Sequence, residues 1–126
     1  MNALLDTSVV IDGIPDEVEV AAISVVTMAE LQFGVERARD EVERQRRMVW
    51  LGAMHDLFEP FPIDTAVAFA WARLAHLAVE RGQQPRRRAM DLLIAATALA
   101  NGLVLLSRDE DLLGLTDVLD VRRPLS

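Results

Sequence analysis

The chain has 126 residues, 52% hydrophobic and 26% charged, with a formal net charge of −7. That composition belongs to one folded domain with a single core, and its acidic balance argues against a broad electrostatic grip on nucleic acid or an anionic membrane. The absence of cysteine and the presence of only His55 and His76 exclude disulfides, thiolate nucleophiles, Cys-ligated metal centres and a three-histidine site within one chain.

Ala3-Leu4-Leu5, ending at Asp6, reads as a first strand, and Val20 to Ser24 as a second. Thr27-Met28-Ala29-Glu30 fits an S/T-x-x-E capping box and opens a helix towards Arg39. Residues 40–58 follow as a second helix, with a charged front half and an apolar rear half (Val49, Trp50, Ala53, Leu57). Phe58 to Ile63 is extended by its prolines, with room for a short strand, before Asp64 caps an alanine-rich helix that stops at Gly82. Beyond the loop Gln83-Gln84-Pro85, a helix runs from Arg88 to Ala100 and ends at Asn101-Gly102. Leu103 to Leu106 is a continuous apolar run of strand length, as a strand buried on both faces would be, and a weaker strand is expected near Leu119-Asp120-Val121. Short apolar strands alternating with longer helices predict an α/β domain spanning residues 1–126, with a mostly parallel sheet and helices on both faces.

The chemistry-bearing residues are carboxylates. Asp6 follows the first strand directly, Asp109 follows the buried strand after Ser107-Arg108, and Glu30 is expected in the first turn of the helix after the second strand. Ligands of open parallel sheets bind beyond the carboxyl ends of strands, so these elements deliver acids to one edge. Asp91 heads a helix whose stripe Ile94, Ala95, Ala98 and Leu99 faces inward, and a carboxylate there needs a hydrogen bond, a counter-charge or a metal ion. All thirteen basic residues are arginine, so no lysine is available to pair it, to form a Schiff base or to act as a base. Singly, each acid has a plain structural alternative. Asp6 can cap Thr7-Ser8-Val9, Glu30 can complete its capping box, Asp91 can answer a helix dipole, and Asp109-Glu110-Asp111 can be a solvated turn. Gathered at one edge, oxygen ligands without Cys or convergent His would select Mg²⁺ or Mn²⁺, ions that polarise a phosphodiester and generate hydroxide.

At these residues the sequence resembles a PIN domain of the VapC-type ribonuclease toxins of bacterial toxin–antitoxin pairs. The resemblance is carried by Leu5-Asp6-Thr7-Ser8, Ser24 to Leu31, Asp91 to Ala98 and Leu106 to Leu112, in family order over nearly the whole chain. It implies a PIN-like three-layer sandwich and a metal-dependent endoribonuclease with Asp6, Glu30 and Asp91 as core metal-binding acids. The fourth acid falls on Asp109, with Asp111 a second candidate, and Ser107 takes the supporting place of the family's threonine. It further implies water as nucleophile, 5′-phosphate and 3′-hydroxyl products, a structured RNA target such as tRNA or rRNA, a homodimer and an inhibiting VapB-type antitoxin. The alternative is a PIN-like module kept for protein binding or regulation without catalysis.

Arg86-Arg87-Arg88, directly before Asp91, can form a phosphate clamp for RNA or a solvated loop. Arg44, Arg46 and Arg47 alternate with acids as an exposed helix face does, His55 and His76 stand alone, and Trp50, Phe58, Phe69 and Trp71 suit a core or subunit interface. A haloacid-dehalogenase-like phosphatase needs an acid where Ser8 stands, and a phosphoreceiver domain needs a lysine; both are excluded. The first residues carry no positive segment, and Leu92 to Leu106 falls short of the about 20 residues of a bilayer span, so a cytoplasmic protein without a membrane partner is expected.

Overall fold

Strand β1 (Asn2–Leu5) lies inside a four-stranded sheet with β2 (Val20–Ala22) on one side and β3 (Val104–Leu106), then β4 (Val121–Arg122), on the other. All of these pairings are parallel, with Leu4 opposite Ala22 and Leu105 and with Leu5 opposite Leu106. The structure, a computed structural model, describes residues 1–125. Six helices complete the element order: α1 (Thr7–Asp12), α2 (Val25–Glu36), α3 (Glu41–Leu57), α4 (Thr65–Glu80), α5 (Ala89–Ala100) and α6 (Glu110–Leu113). The sheet is covered on both faces. Leu4 and Leu105 point into a core with Leu74, Ile94 and Leu112, from α4, α5 and α6. Ala3, Leu5 and Leu106 point the other way, into a core with Val9, Ile23, Leu31 and Phe58. This alternation is why the two central strands are apolar at every position beyond the exposed Asn2. Leu4, Leu5, Leu105 and Leu106 are fully buried, each contributing about 1.5–3 kcal/mol of transfer free energy.

Chain direction fixes where a site can form. From β1 the chain moves to β2 at one side, and only much later returns to lay β3 on the other side of β1. The crevice between the carboxyl ends of β1 and β3 is therefore a topological switch point, the place where parallel sheets bind ligands. Three caps place acids around it: Asp6 accepts from the Thr7 N–H to start α1, Ser24 from Val26 to start α2, which carries Glu30, and Asp109 from Asp111 and Leu112 to start α6.

Several sequence expectations shift. The predicted capping box at Thr27 gives way to a cap three residues upstream at Ser24, because the chain enters the helix directly from β2 and Thr27 is fully buried. Helix α2 ends at Glu36 rather than near Arg39, since Asp40 already caps α3 through the Glu43 N–H. The segment from Phe58 to Ile63 contributes one parallel bridge, Phe61 to Ser24, rather than a strand. The last strand lies at Val121–Arg122, overlapping the predicted segment at Val121. The expected stop at Gly82 is as predicted, with φ +75°. Of the aromatic residues, Phe58 is core, Trp50 and Trp71 pack against the two cores, and Phe69 is 71% exposed. His55 is exposed, and His76 pairs on the surface with Glu80. No helix among the described residues is long and apolar enough to cross a membrane.

Candidate metal centre

A cleft of about 350 Å³ opens at the switch point, lined by Asp6, Thr7, Ser8, Glu30, Asp91, Arg108 and Asp109. Four acids that are far apart in sequence thus share one cavity, and each arrives on a different element.

Asp6 is the most enclosed, at 7% exposure. The register that sets Leu5 beside Leu106 sets Asp6 beside Ser107, whose hydroxyl donates to Asp6 Oδ2 at 2.8 Å. Asp6 Oδ1 accepts the Thr7 N–H at 2.9 Å. One carboxylate therefore both caps α1 and faces the cleft, so the two readings of Asp6 coexist. Burial pushes Asp6 above the usual carboxylate range against the pull of these donors, and the Asp109 charge adds to the rise.

Glu30 comes from the second turn of α2. Thr7 Oγ1 donates to Glu30 Oε1 at 2.6 Å and lies 3.1 Å from Thr27 Oγ1. Glu30 is held by a hydroxyl of the neighbouring helix, not by the predicted box. Thr7 and Thr27 escaped sequence reasoning: Thr27 was spent on a cap, and Thr7 counted only as the neighbour of Asp6. Thr7→Val is expected to lower the activity proposed below by about 10–100-fold, the usual effect of losing a group that orients a ligand. Thr7→Ser is expected to retain it. Equal loss in both variants, measured on RNA cleavage by folded protein, would remove the hydroxyl from this role.

Asp91 lies in the first turn of α5, half-buried at the mouth of the crevice. Burial raises its pKa first and the Asp6 charge next, with Asp109 and Glu30 adding to the rise while Arg88 opposes it. Asp109 is reversed. Burial works to raise it, but the Arg88 bond and the N–H groups of Leu112 and Asp111 hold it below the usual range. Its own backbone N–H donates to Ser107 Oγ at 3.0 Å. Ser107 is thus fully buried between Asp6 and Asp109, and it serves both.

Asp111 is exposed and outside the cleft lining, where its Oδ2 accepts a hydrogen bond from Arg88 Nη1 at 2.7 Å. Arg86 and Arg87 are exposed, whereas the Arg88 guanidinium is turned inward onto carboxylates. Arg44 pairs with Glu41, and Arg47 with Glu43, on the surface of α3.

The donor set suits a hard divalent cation: the cleft offers carboxylate oxygens and no nitrogen or sulfur ligand, and Asp6 and Asp91 already resist ionisation. Among the described residues, however, no group of three or more His, Asp or Glu side chains is already gathered as a metal-holding cluster. Arg88 already pairs with two of the cleft acids, Asp91 and Asp109.

Comparison with known proteins follows the same lines. The family model described as PIN domain matches residues 3–117. Ribonuclease VapC4 of Mycobacterium tuberculosis is 39% identical over 96 residues, covering 76% of this chain and 72% of that protein. Ribonuclease VapC5 of the same organism is 40% identical over 98 residues, covering 78% and 68%. Among solved structures, VapBC-5 from Mycobacterium tuberculosis, a member of the VapBC family of toxin–antitoxin systems, superposes with a TM-score of 0.81 at 35% identity over 97% of this chain and 96% of that one. FitAcB from Neisseria gonorrhoeae superposes with a TM-score of 0.80 at 27% identity, covering 97% of each chain.

Proposed function

The chain belongs to the PIN-domain family, and from that premise we propose that it is an endoribonuclease of the VapC type, the toxin of a toxin–antitoxin pair. The observation that carries this reading is the shared cleft of Asp6, Glu30, Asp91 and Asp109 at the sheet's switch point. We further propose that it acts with Mg²⁺ or Mn²⁺ held by these acids. Such an ion, when bound, polarises the phosphodiester and lowers the pKa of water. The chain's own part is to position. Ser107 fixes Asp6 and the start of α6, Thr7 fixes Glu30, and the first turn of α5 presents Asp91. Arg86 and Arg87, exposed ahead of α5, offer guanidinium groups to RNA phosphates.

The proposed substrate is structured RNA such as tRNA or rRNA, and the proposed partners are a second copy of the chain and a small VapB-type antitoxin. Beside the acids an apolar groove of about 360 Å³, walled by Ile11, Leu31 and Trp50 and sharing Thr7 and Glu30, offers the antitoxin a seat that closes the cleft. Exposed Phe33, Phe69, Val42 and Val49 provide further apolar surface for partners to cover.

Brief induction of wild type and of Asp6→Asn, followed by mapping of RNA ends, tests the proposal. New 5′-phosphate ends at defined sites in wild type alone are expected, with growth arrest relieved by a co-expressed neighbouring small protein. The same ends from Asp6→Asn, or none from wild type, would reject it. The second reading, a binding module without catalysis, draws on Arg88 already engaging the acids, and it predicts no cleavage by either protein.

A further inference from the structure

Arg88 stands at the N-cap position of α5, where helices favour Ser, Thr, Asp or Asn, and it makes no side-chain capping bond. A cation there also opposes the helix dipole. Helix formation therefore gives no reason for an arginine at this place; the cleft gives one. The Arg88 guanidinium reaches three carboxylates, with Nη2 at 2.8 Å from Asp109 Oδ1 and 3.4 Å from Asp91 Oδ2, and Nη1 at 2.7 Å from Asp111 Oδ2. Two of these acids line the cleft and one stands outside it.

We propose that Arg88 is a built-in counter-cation, which neutralises Asp91 and Asp109 while no divalent ion is bound and is retained by Asp111 when an ion displaces it. This rests on the metal reading above. Charge and position favour the exchange. Arg88 Nη2 stands against both Asp109 Oδ1 and Asp91 Oδ2, so a divalent ion held by these two acids would meet the guanidinium as a like charge at close range. Asp111 is exposed and bonded to the other guanidinium nitrogen, so it can keep Arg88 at the rim after the bonds to Asp109 and Asp91 break. The two acids between which the sequence alone did not decide thus take different parts: Asp109 faces the ion, and Asp111 holds its competitor. A protein whose competing state must first be vacated binds its ligand more weakly by the fraction vacant.

Calorimetric titration of the purified chain with Mn²⁺, without RNA, tests this in both directions. Arg88→Gln is expected to bind Mn²⁺ about tenfold more tightly than wild type, and Asp111→Asn several-fold more weakly, because the displaced Arg88 guanidinium then has no other seat. Without metal, Arg88→Gln is also expected to melt below wild type and to gain more from Mn²⁺. Asp111→Asn, a surface change, keeps the test open if Arg88→Gln folds poorly. Equal Mn²⁺ affinity in all three chains overturns the counter-cation and leaves the metal site standing. Weaker binding by Arg88→Gln likewise overturns it, and absence of Mn²⁺ binding in every chain overturns the metal reading with it.

Discussion

Asp6→Asn and Asp91→Asn are each expected to lose RNA cleavage by at least about 10³-fold while melting at or slightly above the wild-type temperature. The two effects have one source. Burial and neighbouring acids hold both carboxylates above their ordinary pKa. An acid whose folded pKa is raised binds protons more tightly in the native state. Its favourable contribution is full below the ordinary value of 3.8 and is lost as pH rises through the raised value. At neutral pH the wild-type fold therefore carries the cost of burying these charges near one another, offset only in part by Arg88, and asparagine removes that cost. Asparagine can still accept the Thr7 N–H at position 6 and can donate to Ser107, so the cap on α1 survives. Melting curves at pH 7 and pH 4.5 check the sign: the advantage of the variants should shrink at the lower pH, where wild type also begins to shed the charge. A variant inactive because it unfolds, or one as active as wild type, would contradict the assignment.

This antagonism between site and stability bears on what was legible beforehand. The sheet was readable because Ala3-Leu4-Leu5 and Leu103 to Leu106 are apolar without alternation, which only strands covered on both faces require. Asp6 and Asp109 were readable because each follows such an element within a few residues, so sheet direction carries them to one edge. Asp91 was readable from the apolar stripe it heads on its helix, and Glu30 from its place in the helix after β2. Their supports were not. Thr7 and Thr27 lie 3.1 Å apart across 20 residues of sequence, and no local pattern announces a hydroxyl pair between helices. Thr27 also stood in a sequence that imitates a cap, while Ser24, one turn earlier, satisfies the helix. Arg86, Arg87 and Arg88 are equivalent as a string. They are told apart only when β3 and the turn into α6 bring Asp109 and Asp111 against the last of them. The predicted strand pairing was right in kind and short of the full result, since every pairing in the sheet proved parallel.

Ser107 illustrates how register, rather than composition, makes a support. Leu5 pairs with Leu106, so the next residues on the two strands are a buried carboxylate and a buried hydroxyl that must satisfy one another. A threonine there would bring the same oxygen with an added methyl group.

Chelation with EDTA is expected to abolish cleavage by wild type, and Mn²⁺ or Mg²⁺ in excess is expected to restore it. Charge makes the dependence strong. Asp6, Glu30, Asp91 and Asp109 share the cleft with Arg108, and Arg108 also bonds Asp12. With Arg88 spread over three acids, the cavity keeps an excess of negative charge facing the place a phosphodiester must enter. An anionic substrate is repelled until a divalent ion offsets that excess. Binding of the ion also relieves the native-state repulsion, so the melting temperature must rise. At about 100 times the dissociation constant, a single ion stabilises by roughly 2.7 kcal/mol, a shift of several degrees for a domain of this size. Asp6→Asn, with one acid fewer, should show a clearly smaller rise, and this separates binding in the cleft from ions on the acidic surface. RNA cleavage that persists in EDTA, or an equal thermal shift in Asp6→Asn, would mean that the carboxylates do not work by holding a metal.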